Sequence, residues 1–321
     1  MPSPLSTENP ALARYSVAFG SKPENSLYNR YLDVVPYDCN RLSPAGDGLR
    51  YVNASWMKEH SGNKSWIASQ APLPHTVHAF LSVILDAPRA PEASHETNIC
   101  TIVQLTLEEE NGIVKAQRYF PEQVGQAWTV APETNISSPA IRVTVLERRT
   151  LEQINCVDTT IEIRLEGEET QVRTVRHLLY TEWPDHGVPD NAESLLGFVR
   201  YVEWVNDANQ RDTDALRPVL VGCSAGIGRT GTFIAISSLL RSHSLLGESQ
   251  SSKSPQRRSN GVSPLGPIGA EWESDLVVQE IDNLREQRMG MVQRIEQMEL
   301  VYRVVQAGFV QGSDHGDDPD R

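Results

Sequence analysis

Long apolar runs, lysines and closely spaced cysteines are scarce in this 321-residue chain. The longest apolar runs, at 80–85 and 233–240, are too short to cross a bilayer, so we expect no membrane span. The four cysteines, which include Cys223, form no CxxC pair, and this argues against a disulfide scaffold or a cysteine-rich zinc site. The first twenty residues lack the pattern of a signal peptide. We therefore expect a cytoplasmic protein, with the nucleus as the other compartment open to it.

Basic residues are fewer than acidic residues, 29 against 42, and the formal net charge is −13. Such a balance argues against nucleic acid and against an anionic membrane surface as partners. The basic set contains 24 arginines and 5 lysines, and the planar arginine fork matches carboxylate and phosphate groups. Because the overall field of an acidic protein repels anions, a bound anion would need donors aimed at it locally.

Apolar residues make up 39% of the chain, enough for a sizeable core, and their spacing changes repeatedly between strand and helix. Strands are predicted at 51–56, 66–70, 98–106, 141–149, 159–167, 174–183 and 218–222. Helices are predicted at 75–86, 192–205, 230–240, 272–288 and 293–307. This mixture predicts one α/β domain, with a central, highly twisted mixed sheet flanked by helices on both sides.

Composition divides the chain into three parts, with an insertion inside the second. Residues 1–25 are polar and punctuated by proline, which predicts an N-terminal extension, and residues 26–310 form the predicted domain. Serine, proline, glycine, glutamine and arginine dominate 247–269, which predicts a flexible insertion. Residues 311–321 are acidic and predict a frayed tail.

The segment 221–231, VGCSAGIGRTG, is the most informative in the chain. A predicted strand runs into a glycine-rich loop that opens a helix, and glycine lets successive N–H groups turn inward. Such a nest at a helix N-terminus binds a tetrahedral oxyanion. Cys223 would lie beneath that anion, and Arg229 would grip two of its oxygens. The alternative is a buried structural cysteine in a glycine-rich turn.

The same N–H groups and the helix dipole favour the thiolate of Cys223, which would be poised for in-line attack on phosphorus. Thr230 could donate its hydroxyl to the sulfur and make it a better leaving group in a second step. A general acid is available in WPDHGVP, where Asp185 lies between stiff proline arms with a glycine nearby. The alternative for Asp185 is a simple turn-forming residue.

These residues resemble the protein tyrosine phosphatase family, in its cysteine-based non-receptor form. The motifs NRYLDV, YVNAS, SQAPLP, TEWPDHGVP, CSAGIGRTG and QRIEQ occur in the family's order, and the match covers about 29–310 apart from the insertion. The resemblance implies hydrolysis of phosphotyrosine in protein substrates through a phosphocysteine intermediate, without a metal or other cofactor. It identifies Cys223 as the nucleophile, Arg229 as the phosphate-binding residue and Asp185 as the acid on a mobile loop.

The resemblance also assigns roles around the pocket. Tyr31 is similar to the tyrosine that stacks on the substrate ring, and Asp33 to the residue that holds the substrate backbone. Gln293 and Gln297 resemble the glutamines that orient water for hydrolysis of the phosphocysteine. The phosphate would be bound by the loop residues Ser224, Ala225, Gly226, Ile227 and Gly228.

Further residues would support this pocket. Glu110 and Lys115 resemble the loop whose glutamate steadies the catalytic arginine, and Trp183 begins the loop of the acid. Arg288 is similar to a structural arginine, and Gly290 to the small residue that leaves the pocket mouth open.

One position departs from the family pattern, because Gly222 precedes the cysteine where the family usually has histidine. We expect a less stabilised thiolate than is usual, and the alternative of a catalytically weak or inactive phosphotyrosine-binding module stays open. The joint presence of Asp185, Cys223 and Arg229 argues for turnover. A lipid or dual-specificity phosphatase is a third hypothesis, which Tyr31 and the net charge disfavour. The expected assembly is a monomer.

Overall fold

The computed structural model describes residues 13–43, 50–62, 64–86, 88, 97–134, 136–168, 171–185, 187–208, 217–246, 263 and 265–313. Most of the predicted insertion, at 247–262 and 264, and the predicted tail from 314 onward lie outside these residues. Of the predicted extension, 1–25, residues 1–12 lie outside the described residues and residues 13–25 contact the domain. The Tyr15 hydroxyl donates to Glu286, and Asn25 is buried.

The strands of the described residues are β1 Ala54–Lys58, β2 Ser65–Gln70, β3 Thr101–Gln104, β4 Glu109–Glu110, β5 Ile113–Val114, β6 Ala127–Val130, β7 Ile141–Leu151, β8 Cys156–Leu165, β9 Val172–Tyr180 and β10 Val219–Cys223. Eight of them form one mixed sheet in the order β1–β2–β10–β3–β9–β8–β7–β6. The strands β2, β10, β3 and β9 pair in parallel, and the remaining pairs are antiparallel. A separate hairpin is made by β4 and β5.

The α-helices of the described residues are α1 Pro23–Ser26, α2 Val77–Leu85, α3 Ala192–Ala208, α4 Gly228–Ser242, α5 Leu276–Arg285 and α6 Ile295–Ser313. Two of them, α2 and α4, are buried along nearly their whole length, as their apolar sequences require. Asp275 caps the N-terminus of α5, because its carboxylate accepts from the N–H groups of Val277 and Val278. None of the helices in the described part of the chain is long and apolar enough to span a membrane.

Helices cover both faces at the centre of the sheet. Along β10, Val219 and Val221 point into a core shared with α3, α4, α5 and α6. Leu220, between them, points into a second core formed with α2 on the opposite face. This arrangement confirms the predicted α/β fold with a mixed sheet flanked by helices on both sides.

The parallel strands bring three loops to one edge of the sheet. Chain segments leave the carboxyl ends of β3, β9 and β10 on the same side, as they must when neighbouring strands run in parallel. The segments after β3 and β9 carry Glu110 and Asp185, and Cys223 is the last residue of β10. The fold therefore gathers at this edge three residues that the sequence analysis identified far apart in the chain.

Candidate active site

Cys223 is buried at the end of β10, and the four residues after it form the loop that leads into α4. The carbonyl groups of this loop are tied to the surrounding scaffold. The Ala71 N–H donates to Cys223 O at 2.9 Å and to Ser224 O at 3.1 Å. Two carbonyls of the loop therefore point toward the end of β2.

Arg288 holds the next two carbonyls. Its guanidinium donates to Ala225 O at 3.1 Å and to Gly226 O at 2.9 Å. The side chain is fully buried and has no carboxylate partner among the described residues; Asn53 Oδ1, at 2.7 Å, is a further acceptor. Burial lowers the pKa of Arg288 to about 10, so the guanidinium keeps its charge at neutral pH.

These bonds fix where the loop N–H groups point. Every described peptide bond is trans, so each N–H lies opposite the carbonyl of the same peptide unit. The N–H groups of residues 224–227 consequently face away from Ala71 and Arg288, and no acceptor among the described residues takes them. The first N–H groups of α4 add to the set, since helix geometry leaves them without partners. We call the N–H groups of 224–229 the amide cup.

Two glycines allow β10 and the loop after it to pack against β2. Gly226 has a φ of +70°, and a Cβ at this position would lie 2.3 Å from Ser69 O. Gly222 is directly opposite Ser69 in the β10–β2 pairing, and a Cβ there would lie 2.8 Å from the same oxygen. The backbone of β2 thus occupies the space that any side chain at position 222 would need. The glycine at position 222, where the family usually has histidine, therefore fits the close packing of β10 against β2.

Arg229 lies in the first turn of α4 and is held by Glu110. Its Nη1 and Nη2 donate to the two carboxylate oxygens at 2.6 and 2.8 Å, and Nη1 also donates to Leu105 O at 3.1 Å. Burial by itself would lower the pKa of Arg229, but the bonds to Glu110 outweigh it and raise the pKa above its usual value. Glu110 is itself buried and accepts from the Thr106 hydroxyl at 2.7 Å. The guanidinium is therefore charged and fixed in orientation.

Asp185 meets Arg229 from a different loop. Its Oδ1 lies 2.9 Å from Lys115 Nζ and 3.9 Å from Arg229 Nη2, and its Oδ2 accepts from Asn111 at 3.0 Å. The preceding residue, Pro184, accepts from Arg229 Nη2 at 3.0 Å. The hydrogen bond from Lys115, followed by that from Asn111, holds the pKa of Asp185 well below its usual range.

One hydroxyl connects the two walls of the site. Ser224 Oγ donates to Lys115 O at 2.9 Å and lies 2.9 Å from the Tyr31 hydroxyl. Tyr31 is thereby attached to the loop that follows Cys223, with its ring more than one third exposed. Asp33, two residues further on, is exposed.

Both predicted water-orienting glutamines lie at the start of α6. The Oε1 of Gln297 accepts from the Gln293 N–H at 2.9 Å, and its Nε2 would lie 2.9 Å from a Cβ at Gly228. The Gln297 amide is therefore packed against the start of α4, while the Gln293 side chain is exposed. Gly290 has a φ of +73° and packs beside Ile227.

Thr230 and Trp183 are buried at the back of the site. The Thr230 hydroxyl makes no hydrogen bond within the described residues, so the expected donation to the sulfur is not made in this structure. The Trp183 ring packs edge-on against Tyr180 and anchors the start of the Asp185 loop in the core. Asn111 is a site residue that the sequence analysis missed; its Asn-Gly turn, with φ of 52° and 76°, is the signal that marks the hairpin.

Comparison with known proteins agrees with this geometry. A family model described as protein-tyrosine phosphatase matches residues 25–252. A chicken receptor-type tyrosine-protein phosphatase eta is 35% identical over 222 residues, which are 68% of this chain and 14% of that protein. Human tyrosine-protein phosphatase non-receptor type 14 is 32% identical over 306 residues, which are 91% of this chain and 21% of that protein. Mouse tyrosine-protein phosphatase non-receptor type 20 is 28% identical over 295 residues, which are 89% of this chain and 54% of that protein. The chain thus spans about half or less of the length of these relatives, and it belongs to the protein-tyrosine phosphatase family.

Proposed function

We propose that this chain hydrolyses phosphotyrosine in protein substrates through a phosphocysteine intermediate. The observation that carries the proposal is the outward anchoring of the carbonyls that follow Cys223, because it leaves a cup of unpaired N–H donors beside the sulfur. Three oxygens of a phosphoryl group can be bound by such donors together with the charged Arg229 guanidinium.

The first step follows from the placement of Cys223 and Asp185. The thiolate attacks phosphorus, a sulfur–phosphorus bond forms, and the bond from phosphorus to the tyrosine oxygen breaks. Asp185 gives its proton to the departing oxygen, which makes the aryl oxide a better leaving group. The Arg229 guanidinium is held by Glu110 before the substrate arrives, and its Nε–H, which has no acceptor among the described residues, is the donor left to bind the transferring group.

The second step regenerates the cysteine. Water attacks phosphorus, the sulfur–phosphorus bond breaks, and the Asp185 carboxylate accepts the proton that water loses. Gln293 and Gln297 are the proposed groups that orient this water, and the packing of the Gln297 amide on Gly228 supports that role. Inorganic phosphate and free thiolate are the products, and the enzyme returns to its starting state.

The contacts of Asp185 favour turnover over binding alone. Lys115 and Asn111 place the carboxylate within 3.9 Å of the phosphate-binding arginine. A module that only bound phosphotyrosine would gain nothing from the Asp185 carboxylate beside Arg229, because this carboxylate repels the phosphate. A cytoplasmic or nuclear location and a monomeric state stay predictions of the sequence.

Turnover of a phosphotyrosine peptide beside its phosphoserine twin tests the proposal. We propose that Tyr31, whose hydroxyl contacts Ser224, forms the wall that sets the depth at which the phosphate meets the sulfur. We therefore expect kcat/KM to be roughly 10³-fold higher for phosphotyrosine. Equal rates on the two peptides would contradict the proposal. Faster release of phosphate from a phosphoinositide than from the phosphotyrosine peptide would instead favour a lipid phosphatase.

The pH profile should depend on Lys115. A general acid acts in its protonated form, and a lowered pKa means that this form is lost at a lower pH. Lys115→Gln removes the main cause of the lowered pKa, so the alkaline limb of the kcat profile should move to higher pH by about one unit. The matched control is Lys22→Gln, which lies outside the site. If the alkaline limb does not move in Lys115→Gln, Asp185 in contact with Lys115 is not the general acid.

A further inference from the structure

The side chain of Asn111 reaches from the turn of the β4–β5 hairpin to the loop of the proposed acid. Its Nδ2 donates to Asp185 Oδ2 at 3.0 Å. Lys115, just after the same hairpin, places its Nζ 2.9 Å from Asp185 Oδ1. Oδ1 also lies 3.9 Å from Arg229 Nη2, so it is the oxygen turned toward the phosphate-binding residue. One hairpin therefore contacts both oxygens of this carboxylate, through two chemically different groups.

The backbone of the turn does not by itself account for the side chain at 111. Asn111 and Gly112 have φ of 52° and 76°, and a turn with two positive φ values accepts asparagine, aspartate or glycine at its first position. Glycine would leave Asp185 Oδ2 without this donor, and aspartate would bring a second negative charge to it. Of the three, only asparagine keeps the turn and also donates to a carboxylate.

The position of this donor is fixed relative to the phosphate-binding arginine. Glu110, the residue before Asn111, is buried and accepts from both Nη atoms of Arg229 at 2.6 and 2.8 Å. A side chain that leaves the backbone one residue later is held in place by the same contact. Through Asn111, the hairpin that orients the arginine also sets the place of the acid.

The two partners of Asp185 respond differently when the carboxylate takes a proton. An ammonium group only donates, and its bond to Oδ1 is strong because the carboxylate is charged. A proton on Oδ1 removes that charge, so the Lys115 contact must weaken. The oxygen without the proton remains an acceptor, and a neutral amide can donate to it in either state. Asn111 is thus the partner that the acid can keep through both chemical steps.

The charges around Asp185 agree with this division of roles. Lys115, Arg229 and Glu110 are charged groups that face it, from the hairpin and from the first turn of α4. The two cations favour the ionised form, which has no proton to give. The neutral amide of Asn111 positions the carboxyl group and lowers its pKa less than the lysine does.

We infer that Asn111 is a positioning residue for the general acid: it holds Asp185 Oδ2 in both protonation states, so that the catalytic proton resides on Oδ1. The inference rests on the proposed function and assigns the proton of that function to one atom. In the first step the Oδ1–H bond breaks and the proton passes to the departing tyrosine oxygen. In the second step Oδ1 takes the proton that water loses, while Oδ2 keeps its bond from Asn111.

Two aryl phosphates that differ in their leaving group test this role. Phenyl phosphate needs a proton on its departing oxygen, whereas the nitro group of para-nitrophenyl phosphate stabilises the departing anion and makes the acid nearly dispensable. Asn111→Gly keeps a residue that the turn favours and removes the amide. At the pH optimum of each protein, we expect this variant to lower kcat/KM about tenfold on phenyl phosphate and at most about twofold on para-nitrophenyl phosphate.

Asn111→Asp also keeps the turn but places a carboxylate where the donor was. The added like charge raises the pKa of Asp185, and a general acid acts while it is protonated. The alkaline limb of the kcat/KM profile on phenyl phosphate should therefore move to higher pH than in the unaltered protein.

Ser244→Gly and Ser244→Asp are the matched controls. Ser244 is exposed and has a φ of 57°, so it repeats the backbone conformation of Asn111. It follows the C-terminal end of α4, which lies about 22 Å from the amide cup because the helix starts there and has 15 residues. Both controls should keep the ratio of kcat/KM on the two aryl phosphates and the pH profile of the unaltered protein.

The outcomes separate this inference from the proposed function. If the unaltered protein hydrolyses neither aryl phosphate, the proposed function fails. If it hydrolyses both, the inference alone is overturned when Asn111→Gly loses equally on the two substrates or loses nothing on phenyl phosphate. An alkaline limb that stays in place in Asn111→Asp overturns it too, as does the same selective loss in Ser244→Gly. Hydrolysis of para-nitrophenyl phosphate alone would mean that no acid acts, which leaves Asn111 nothing to position.

Discussion

Cys223→Ser should lower kcat on a phosphotyrosine peptide by roughly 10⁴-fold or more while the peptide still binds. The hydroxyl of serine has no means of ionising here, because no described base contacts the end of β10. The amide cup is built from backbone groups whose carbonyls are anchored by Ala71 and Arg288, so it should survive the substitution. Steady-state turnover and calorimetric titration of the peptide measure the two effects separately.

Cys39→Ser is the matched control for that substitution. Cys39 is exposed and its thiol contacts the Arg14 carbonyl, away from the loop that follows β10. The control should turn over substrate at the rate of the unaltered protein. Turnover by Cys223→Ser within tenfold of the control would mean that the sulfur is not the nucleophile.

Arg229→Lys should lower kcat/KM by about 10³-fold although the charge is kept. The guanidinium bonds both oxygens of Glu110, Leu105 O and Pro184 O at once, and its planar fork is what permits these contacts. An ammonium has one charged centre and cannot hold Glu110 by two parallel bonds while it also binds phosphate. The substitution should therefore weaken both phosphate binding and the contact that brings the Asp185 loop to the site.

Arg118→Lys controls for the exchange of residue type. Arg118 also forms ion pairs with glutamates, Glu108 and Glu122, but these pairs are partly exposed at the surface. Kinetic constants should stay within about twofold of the unaltered protein. Similar losses in Arg118→Lys and Arg229→Lys would show that the effect does not come from phosphate binding.

Strong periodicity is what made much of the fold predictable. The alternation at 141–149 and 159–167 predicted β7 and β8, and the apolar run at 218–222 predicted β10. β6 was missed because its four residues are all partly or fully exposed and show no alternation. The β4–β5 hairpin was missed because two-residue strands carry no period at all, although the Asn-Gly pair marks the turn.

The residues of the site were predicted better than the contacts that position them. The spacing of Cys223 and Arg229 in a glycine-rich loop suffices to suggest an anion site, but it cannot show which groups hold the loop carbonyls. Arg288 and Ala71 do so from distant parts of the chain, through contacts that only the folded sheet creates. The crowding of Gly222 by Ser69 is likewise a property of strand pairing.

The paired state of Asp185 was also beyond sequence reasoning. Its position between prolines indicated a loop with a hinge, and this role stays a prediction. The ion pair with Lys115 depends on the approach of two loops separated by 70 positions in the chain. That pair determines the charge of the carboxylate and hence the pH at which the proposed acid is protonated.

The central claim is that the phosphoryl group passes to the sulfur of Cys223 before water removes it. The direct measurement mixes the protein with a phosphotyrosine peptide carrying labelled phosphate, quenches the reaction within milliseconds, and maps the label by mass spectrometry. The account predicts one phosphoryl group per active chain, attached to Cys223. Label on another residue, or phosphate release at full rate with no labelled protein at any time, would contradict it.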